Sequence, residues 1–97
     1  MTETSKTAQP HLKIDNERTR VIEWRFAPGA ATGHHRHEYD YVIVPLTTGK
    51  LKIVHPDGKE TISELVTGQP YFRPAGVEHD VINANEHDFA FMEVEFK

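Results

Sequence analysis

Turn-forming residues interrupt this chain at short, fairly regular intervals, and that punctuation limits its fold more than any other feature. Breaks fall at Pro28-Gly29, Gly33, Thr48-Gly49, Pro56-Asp57-Gly58, Gly68, Pro74-Ala75-Gly76 and Asn83-Ala84-Asn85. Between them lie short runs rich in β-branched and aromatic residues: VIEWRF, YDYVIV, LKIV, TISELV, YF, VIN and FAFMEVEF. No window sustains the 3.6-residue apolar period of a helix. Short strands separated by turns about every 8–12 residues predict an all-β sandwich or barrel.

Alternation within the runs refines this. Ile22, Trp24 and Phe26 share one face of a strand and Glu23 and Arg25 the other, which predicts a core face backed by a solvated ion pair. HPDGKE has the form of a hairpin tip, with Asp57-Gly58 expected to take positive φ. Pro45 cannot donate to a ladder and marks an edge or a bulge. The last run is apolar on both faces, Phe89 and Phe91 against Met92, Val94 and Phe96, which suits a strand held between the core and a second subunit. Residues 1–12 are polar and read as a flexible tail, leaving 13–97 as a single domain.

Composition excludes several classes of function. A formal charge of −4 without a concentrated basic surface argues against nucleic acid or an anionic membrane as partner. The absence of cysteine removes disulfides, thiolate nucleophiles and cysteine zinc sites. No apolar run approaches the ~20 residues of a membrane span, and MTETSKTAQPHLK has no apolar leader segment, so the cytoplasm is the expected location.

Three of the seven histidines fall within GHHRHEYDY, residues 33–41. On a strand His35 and His37 point to the same side, with α-carbons about 6.6 Å apart, close enough for two imidazoles to converge on one ion; His34 and Arg36 point the other way. Alternating polar residues on an exposed strand produce the same spacing, so this pair alone leaves metal binding and simple solvation both open.

A second stretch joins the first. Residues 68–83 read GQPYFRPAGVEHDVIN, with Gly68, Pro74, Gly76, His79 and Asn83 at fixed intervals, and residues 29–37 read GAATGHHRH. Together these resemble the two sequence motifs of the cupin superfamily: the second matches at every fixed position, the first through both histidines. The resemblance runs across about 55 of the 97 residues. The VIEWRFAPG, DYVIVPLT and YFRPAGVEHDVIN wording is similar to small stand-alone bacterial cupins, some linked by name to β-alanine degradation. The resemblance implies a jelly-roll β-barrel, RmlC-like, commonly a homodimer. It also implies that His35, His37 and His79 aim at one divalent transition metal, with Fe(II) favoured and zinc, manganese, nickel or copper possible.

The first motif normally continues with a glutamate four or five residues beyond its second histidine, where this chain has Tyr41 and Val42. Three arrangements follow. The site is three histidines with Tyr41 beside them, a variant known among cupins; or Glu93 or Glu95 supplies a carboxylate; or metal is weak or absent and the pocket binds a small molecule. Three neutral imidazoles leave the charge of a divalent ion uncompensated and favour an anionic, chelating substrate. Three-histidine cupins include iron oxygenases that cleave β-diketones and oxidise small thiols. The resemblance therefore implies an Fe(II) dioxygenase-type enzyme acting on a small anionic or chelating metabolite, with Tyr41 either a catalytic residue that orients bound oxygen atoms or a packing aromatic whose hydroxyl bonds a neighbouring histidine. A non-catalytic small-molecule or metal-binding module is the alternative, as is a metal-assisted isomerase or decarboxylase. Arg73 either clamps a substrate carboxylate or pairs with Glu78, and the ion pair is the expectation. Trp24, Phe26, Phe72 and Phe91 furnish core or pocket wall. His11, His55 and His87 read as solvated, and Asn83 as a strand-end anchor.

Overall fold

The computed structural model describes residues 6–97, which form nine antiparallel strands in two sheets. The strands are β1 (Gln9–Asp15), β2 (Thr19–Phe26), β3 (His35–Arg36), β4 (Asp40–Pro45), β5 (Gly49–Val54), β6 (Glu60–Leu65), β7 (Tyr71–Arg73), β8 (Glu78–Asn83) and β9 (Phe89–Phe96). The larger sheet runs β1-β2-β9-β4-β7 and the smaller β3-β8-β5-β6. This is the jelly-roll arrangement that the punctuation and the motifs predict. No helix among the described residues is long and apolar enough to cross a membrane.

The two sheets face each other across a core of Phe26, Ile43, Leu51, Leu65, Val81, Phe89 and Phe91. Phe26 and Phe91 pack with ring centroids 5.4 Å apart; burying an aromatic side chain of this kind contributes roughly 1.5–3 kcal/mol. On the outer surface Glu23 pairs within its own strand with Arg25 Nη2 at 2.5 Å and across to β1 with Lys13 Nζ at 3.5 Å, the latter being the cross-strand ion pair that alternation predicts.

Strand register sorts the inner surface of the larger sheet by depth. Phe26 lies opposite Phe89, and Trp24 opposite Phe91, at the apolar end. At the other end one row reads Arg20, Glu95, Tyr41, Arg73 across β2, β9, β4 and β7. The outer surface carries an apolar row, Ile14, Val21, Val94, Val42 and Phe72, from one edge of the sheet to the other.

Several local expectations are corrected. Residues 9–12, read as tail, belong to β1, and Ala8 is buried with its N–H donated to the Ala31 carbonyl at 2.9 Å; residues 1–5 of that expected tail lie outside the described residues. β1 escapes a pattern reading because it is an edge strand exposed along its whole length, with only Leu12 and Ile14 apolar and a register shift between them. At the HPDGKE tip only Gly58 has positive φ, +89°, and Asp57 instead accepts from the Lys59 N–H. Gly58 N–H donates to the His55 carbonyl and His55 N–H to the Lys59 carbonyl, so this is a type I turn closed by a glycine bulge. Pro45 causes no shift of register. It ends β4, where the partner strand β7 has already finished, so its missing N–H faces no ladder.

Candidate metal centre

The two motifs meet because a single corner carries the second back onto the first. Gly76, at φ +95°, makes a turn that an L-residue would adopt only under strain. Its N–H donates to the His37 carbonyl at 2.8 Å, and the His37 N–H donates to the Val77 carbonyl at 2.9 Å. β8 then runs antiparallel to β3 with His79 directly opposite His35. All three rings face into the barrel. His35 Nε2 lies 3.1 Å from His37 Nε2, which lies 3.2 Å from His79 Nε2. His34 takes the opposite face, 2.7 Å from Glu78 Oε2 at the surface.

Tautomers sharpen the geometry. His35 Nδ1 is 2.9 Å from the Gly33 carbonyl, which only accepts, so a neutral His35 carries its proton there and turns a lone pair inward. His37 Nδ1 faces Glu93 Oε2 at 3.7 Å, and both groups are buried. Burial, followed by the neighbouring His35, lowers the His37 pKa to about 4. Burial, then His35 and His37, lowers that of His79 to about 3. Both rings are therefore neutral at pH 7, the protonation state of a ligand. A divalent ion with nitrogen bonds of about 2.1 Å sets adjacent ligand nitrogens about 3.0–3.4 Å apart, so the spacings and lone pairs of this donor set fit such an ion.

Tyr41 is buried and stacks on His37, with centroids 3.8 Å apart and planes 17° from parallel. Burial, then the nearby Glu93, raises its hydroxyl pKa further above the phenol range and keeps it a neutral donor. Glu93 occupies the Nδ1 edge of His37, whereas Nε2 points to the other histidines. Trp24 Nε1 donates to Glu93 Oε1 at 3.1 Å, and Arg20 Nε donates to Glu95 Oε1 at 2.5 Å. Burial, followed by its hydrogen bond to Glu95 and that neighbour's charge, raises the Glu93 pKa. His37, Glu93 and Glu95 thus form a second buried group of possible ligand atoms sharing one histidine with the first.

Cavities open on either side of the histidines. One, about 310 Å³, is lined by His35 and His37 with Trp24, Glu93, Glu95 and Arg20. The other, about 530 Å³, reaches His79 and Tyr41 past Tyr71, Arg73, His55 and Thr61. Of the aromatic residues expected as core or pocket wall, Phe26 and Phe91 are core and Trp24 borders the first cavity. Phe72 does neither. It lies opposite Val42 on the outer surface and is 54% exposed, because the inward positions of β7 belong to Tyr71 and Arg73. The expected Arg73–Glu78 pair does not form, since Glu78 is engaged by His34. His55 is not merely solvated: its Nε2 lies 3.0 Å from Thr61 Oγ1 on the wall of the larger cavity. His55 continues the alternation of Leu51 and Ile53, a signal obscured by the turn that follows it.

Comparisons agree with this construction. Beta-alanine degradation protein BauB of Pseudomonas aeruginosa is 56% identical over 90 residues, covering 93% of this chain and 94% of that protein. The crystal structure of a cupin domain from Bordetella pertussis Tohama I superposes with a TM-score of 0.93 at 50% identity, over 99% of each chain. The polyketide cyclase RemF from Streptomyces resistomycificus shares the fold, with a TM-score of 0.71 at 24% identity over 95% of this chain and 68% of that one. The family model described as cupin domain matches residues 22–95, a span that includes both histidine motifs and strands β3 to β8 complete, and the chain belongs to that family.

Proposed function

We propose that this protein is a metal-dependent enzyme whose divalent ion, Fe(II) by preference, is held by His35, His37 and His79, and that it carries out dioxygenase-type chemistry on a small anionic or chelating metabolite. One observation carries the reading: three imidazoles turn their Nε2 atoms together at 3.1 and 3.2 Å inside a barrel open to a ligand-sized cavity. The bound ion would supply a Lewis acid and a site for dioxygen. The chain's own residues have separate tasks. Gly33 and Glu93 orient His35 and His37 from behind, and Tyr41 offers a neutral hydroxyl beside them. The name of the relative from P. aeruginosa, a β-alanine degradation protein, supports a short carboxylate as the metabolite.

Metal analysis of untagged protein loaded anaerobically with Fe(II) tests this reading. About one equivalent is expected, lost in His79→Ala while the fold persists, together with oxygen uptake on a panel of short carboxylates, β-diketones and thiol acids. Failure to take up Fe(II) would remove the metal; uptake without oxygen consumption would point instead to an isomerase, a decarboxylase or a binding module.

We also propose that two copies pair through the outer surface of the larger sheet. Its apolar row supports this: Phe72 is 54% exposed, Ile14 49% and the adjacent Phe96 43%, an unusual amount of apolar surface for a solvated sheet face. Phe72→Glu is expected to halve the mass seen by light scattering, and an unchanged mass would refute this interface.

A further inference from the structure

β6 and β7 are the last strands of their respective sheets and are not hydrogen-bonded to each other. The gap between them is the opening of the 530 Å³ cavity. The polar groups lining it are mostly donors or neutral: Tyr41, Tyr71 and Arg73 from the larger sheet, and His55, Thr61 and Ser63 from the smaller. Its single acid, Glu78, is engaged at the surface by His34.

The two arginines of the inner row differ in a way that assigns this opening a ligand. Arg20 lies next to Glu95 and is locked to it. Arg73, at the far end of that row, has no carboxylate partner among the described residues. One of its N–H groups donates to the Phe72 carbonyl at 3.0 Å, and its guanidinium carbon lies 4.6 Å from the Tyr71 ring centroid. Its other donors remain available. Directly across the ladder is Tyr41, which touches His37, and neighbours in that relation are about 5 Å apart. An anion on Arg73 therefore sits one side chain away from the histidine cluster. The cavity on the other side of the histidines offers no comparable arginine at its wall beside them, since Arg20 there is held by Glu95, and it carries Glu38 and Glu93 as well as Arg36.

We propose that the gap between β6 and β7 is the seat of a short-chain carboxylate, its charge held by the Arg73 guanidinium and its carbon chain lying against Tyr71 and Ile53 toward His79. This deepens the enzymatic reading by placing the short carboxylate and naming the residue that selects it, but Arg73 does not need a metal to hold an anion. The probes are propanoate and its uncharged counterpart propanamide, titrated at fixed ionic strength into metal-free and Zn(II)-loaded protein and followed by amide NMR shifts. Propanoate is expected to shift β6 and β7 resonances and propanamide to leave them unchanged. Arg73→Gln should weaken propanoate by about tenfold or more, with Arg73→Lys intermediate and the remote Arg18→Gln unchanged. Equal binding of both probes, absence of propanoate binding, or an Arg73→Gln variant that matches wild type would overturn the proposal. Arg73-dependent binding in a protein that takes up no metal would uphold the anion seat and defeat the metal reading. Metal uptake with propanoate indifferent to Arg73 would do the reverse.

Discussion

Asn83 closes the second motif, and its replacement offers a severe test of how the barrel is held together. The residue is 2% exposed. Its amide nitrogen lies 3.2 Å from the Phe26 carbonyl, 3.2 Å from that of Ala27 and 2.9 Å from that of His87. Its oxygen accepts from Asn85 N and Asn85 Nδ2 at 2.9 and 2.7 Å. One side chain thus ties the end of β2 to the turn between β8 and β9. Asn83→Ala deletes about four neutral hydrogen bonds, each worth about 1 kcal/mol net, and leaves a buried carbonyl unpaired. A loss of about 3–5 kcal/mol is expected, a large part of the roughly 5–15 kcal/mol that stabilises a domain of this size. Asn83→Asp should be worse at neutral pH, although it is nearly isosteric, because its new oxygen faces three acceptors. The folded state then holds that carboxyl protonated, with a pKa above the ~3.9 of the unfolded chain. A raised acid contributes its stability below the unfolded pKa and loses it as pH climbs toward the folded one. Urea unfolding followed by Trp24, the sole tryptophan, should show the Asp variant falling further behind the Ala variant between pH 5 and pH 7.5. A constant gap between them, or an Ala variant within about 1 kcal/mol of wild type, would refute the reasoning.

Three other expectations follow from the same geometry. Glu93→Gln keeps an acceptor for Trp24 but replaces the carboxyl group facing His37 Nδ1 with an amide that cannot ionise when a cation binds, and should weaken Zn(II) binding by about 10–100-fold in competition with a chromophoric chelator; unchanged affinity would show that Glu93 does not support the ring. A methyl group on Gly49 would lie 2.6 Å from Asn85 Oδ1, and that side chain is bonded to Lys50 N and O at 2.9 and 2.8 Å. Gly49→Ala should therefore cost about 1–3 kcal/mol, with much of the cost absent in an Asn85→Ala background by double-mutant cycle. In metal-free protein His79 is neutral to about pH 3, whereas the unfolded chain protonates it below about 6.5. Stability should thus fall as pH drops from 7 to 5, this residue contributing about 1–2 kcal/mol after allowance for partial solvent screening, and His79→Gln should flatten the slope.

What the sequence reveals about the fold follows from how one-sided each strand is. β2 and β4 alternate because one face is core, so their positions and facing are visible in VIEWRF and YDYVIV. β1 is wetted along its whole length, and its two apolar residues, Leu12 and Ile14, are too few to mark a strand. β7 is only three residues long, too short to set its own parity. Nothing local to YFR says whether Phe72 or its neighbours face inward; the ladder with β4 decides it. The histidines are legible because β3, although it ends at Arg36, is continued by the His37 N–H bond to the Val77 carbonyl, so residues two apart still share a face, and because the Pro74–Gly76 corner has a fixed length. That Arg73 has no carboxylate partner among the described residues is not legible, because Glu78 is engaged by His34, a contact across 44 residues.

β7 has a further consequence. It is hydrogen-bonded on one side only and contributes Tyr71 and Arg73 to the cavity without carrying any of the histidines. Drift at these positions can change what the barrel admits while the imidazole cluster and the aromatic floor stay untouched. Under the proposed assignments selectivity and reactivity are therefore separable traits, and duplicated copies of such a chain would be free to diverge in what they bind before they diverge in chemistry.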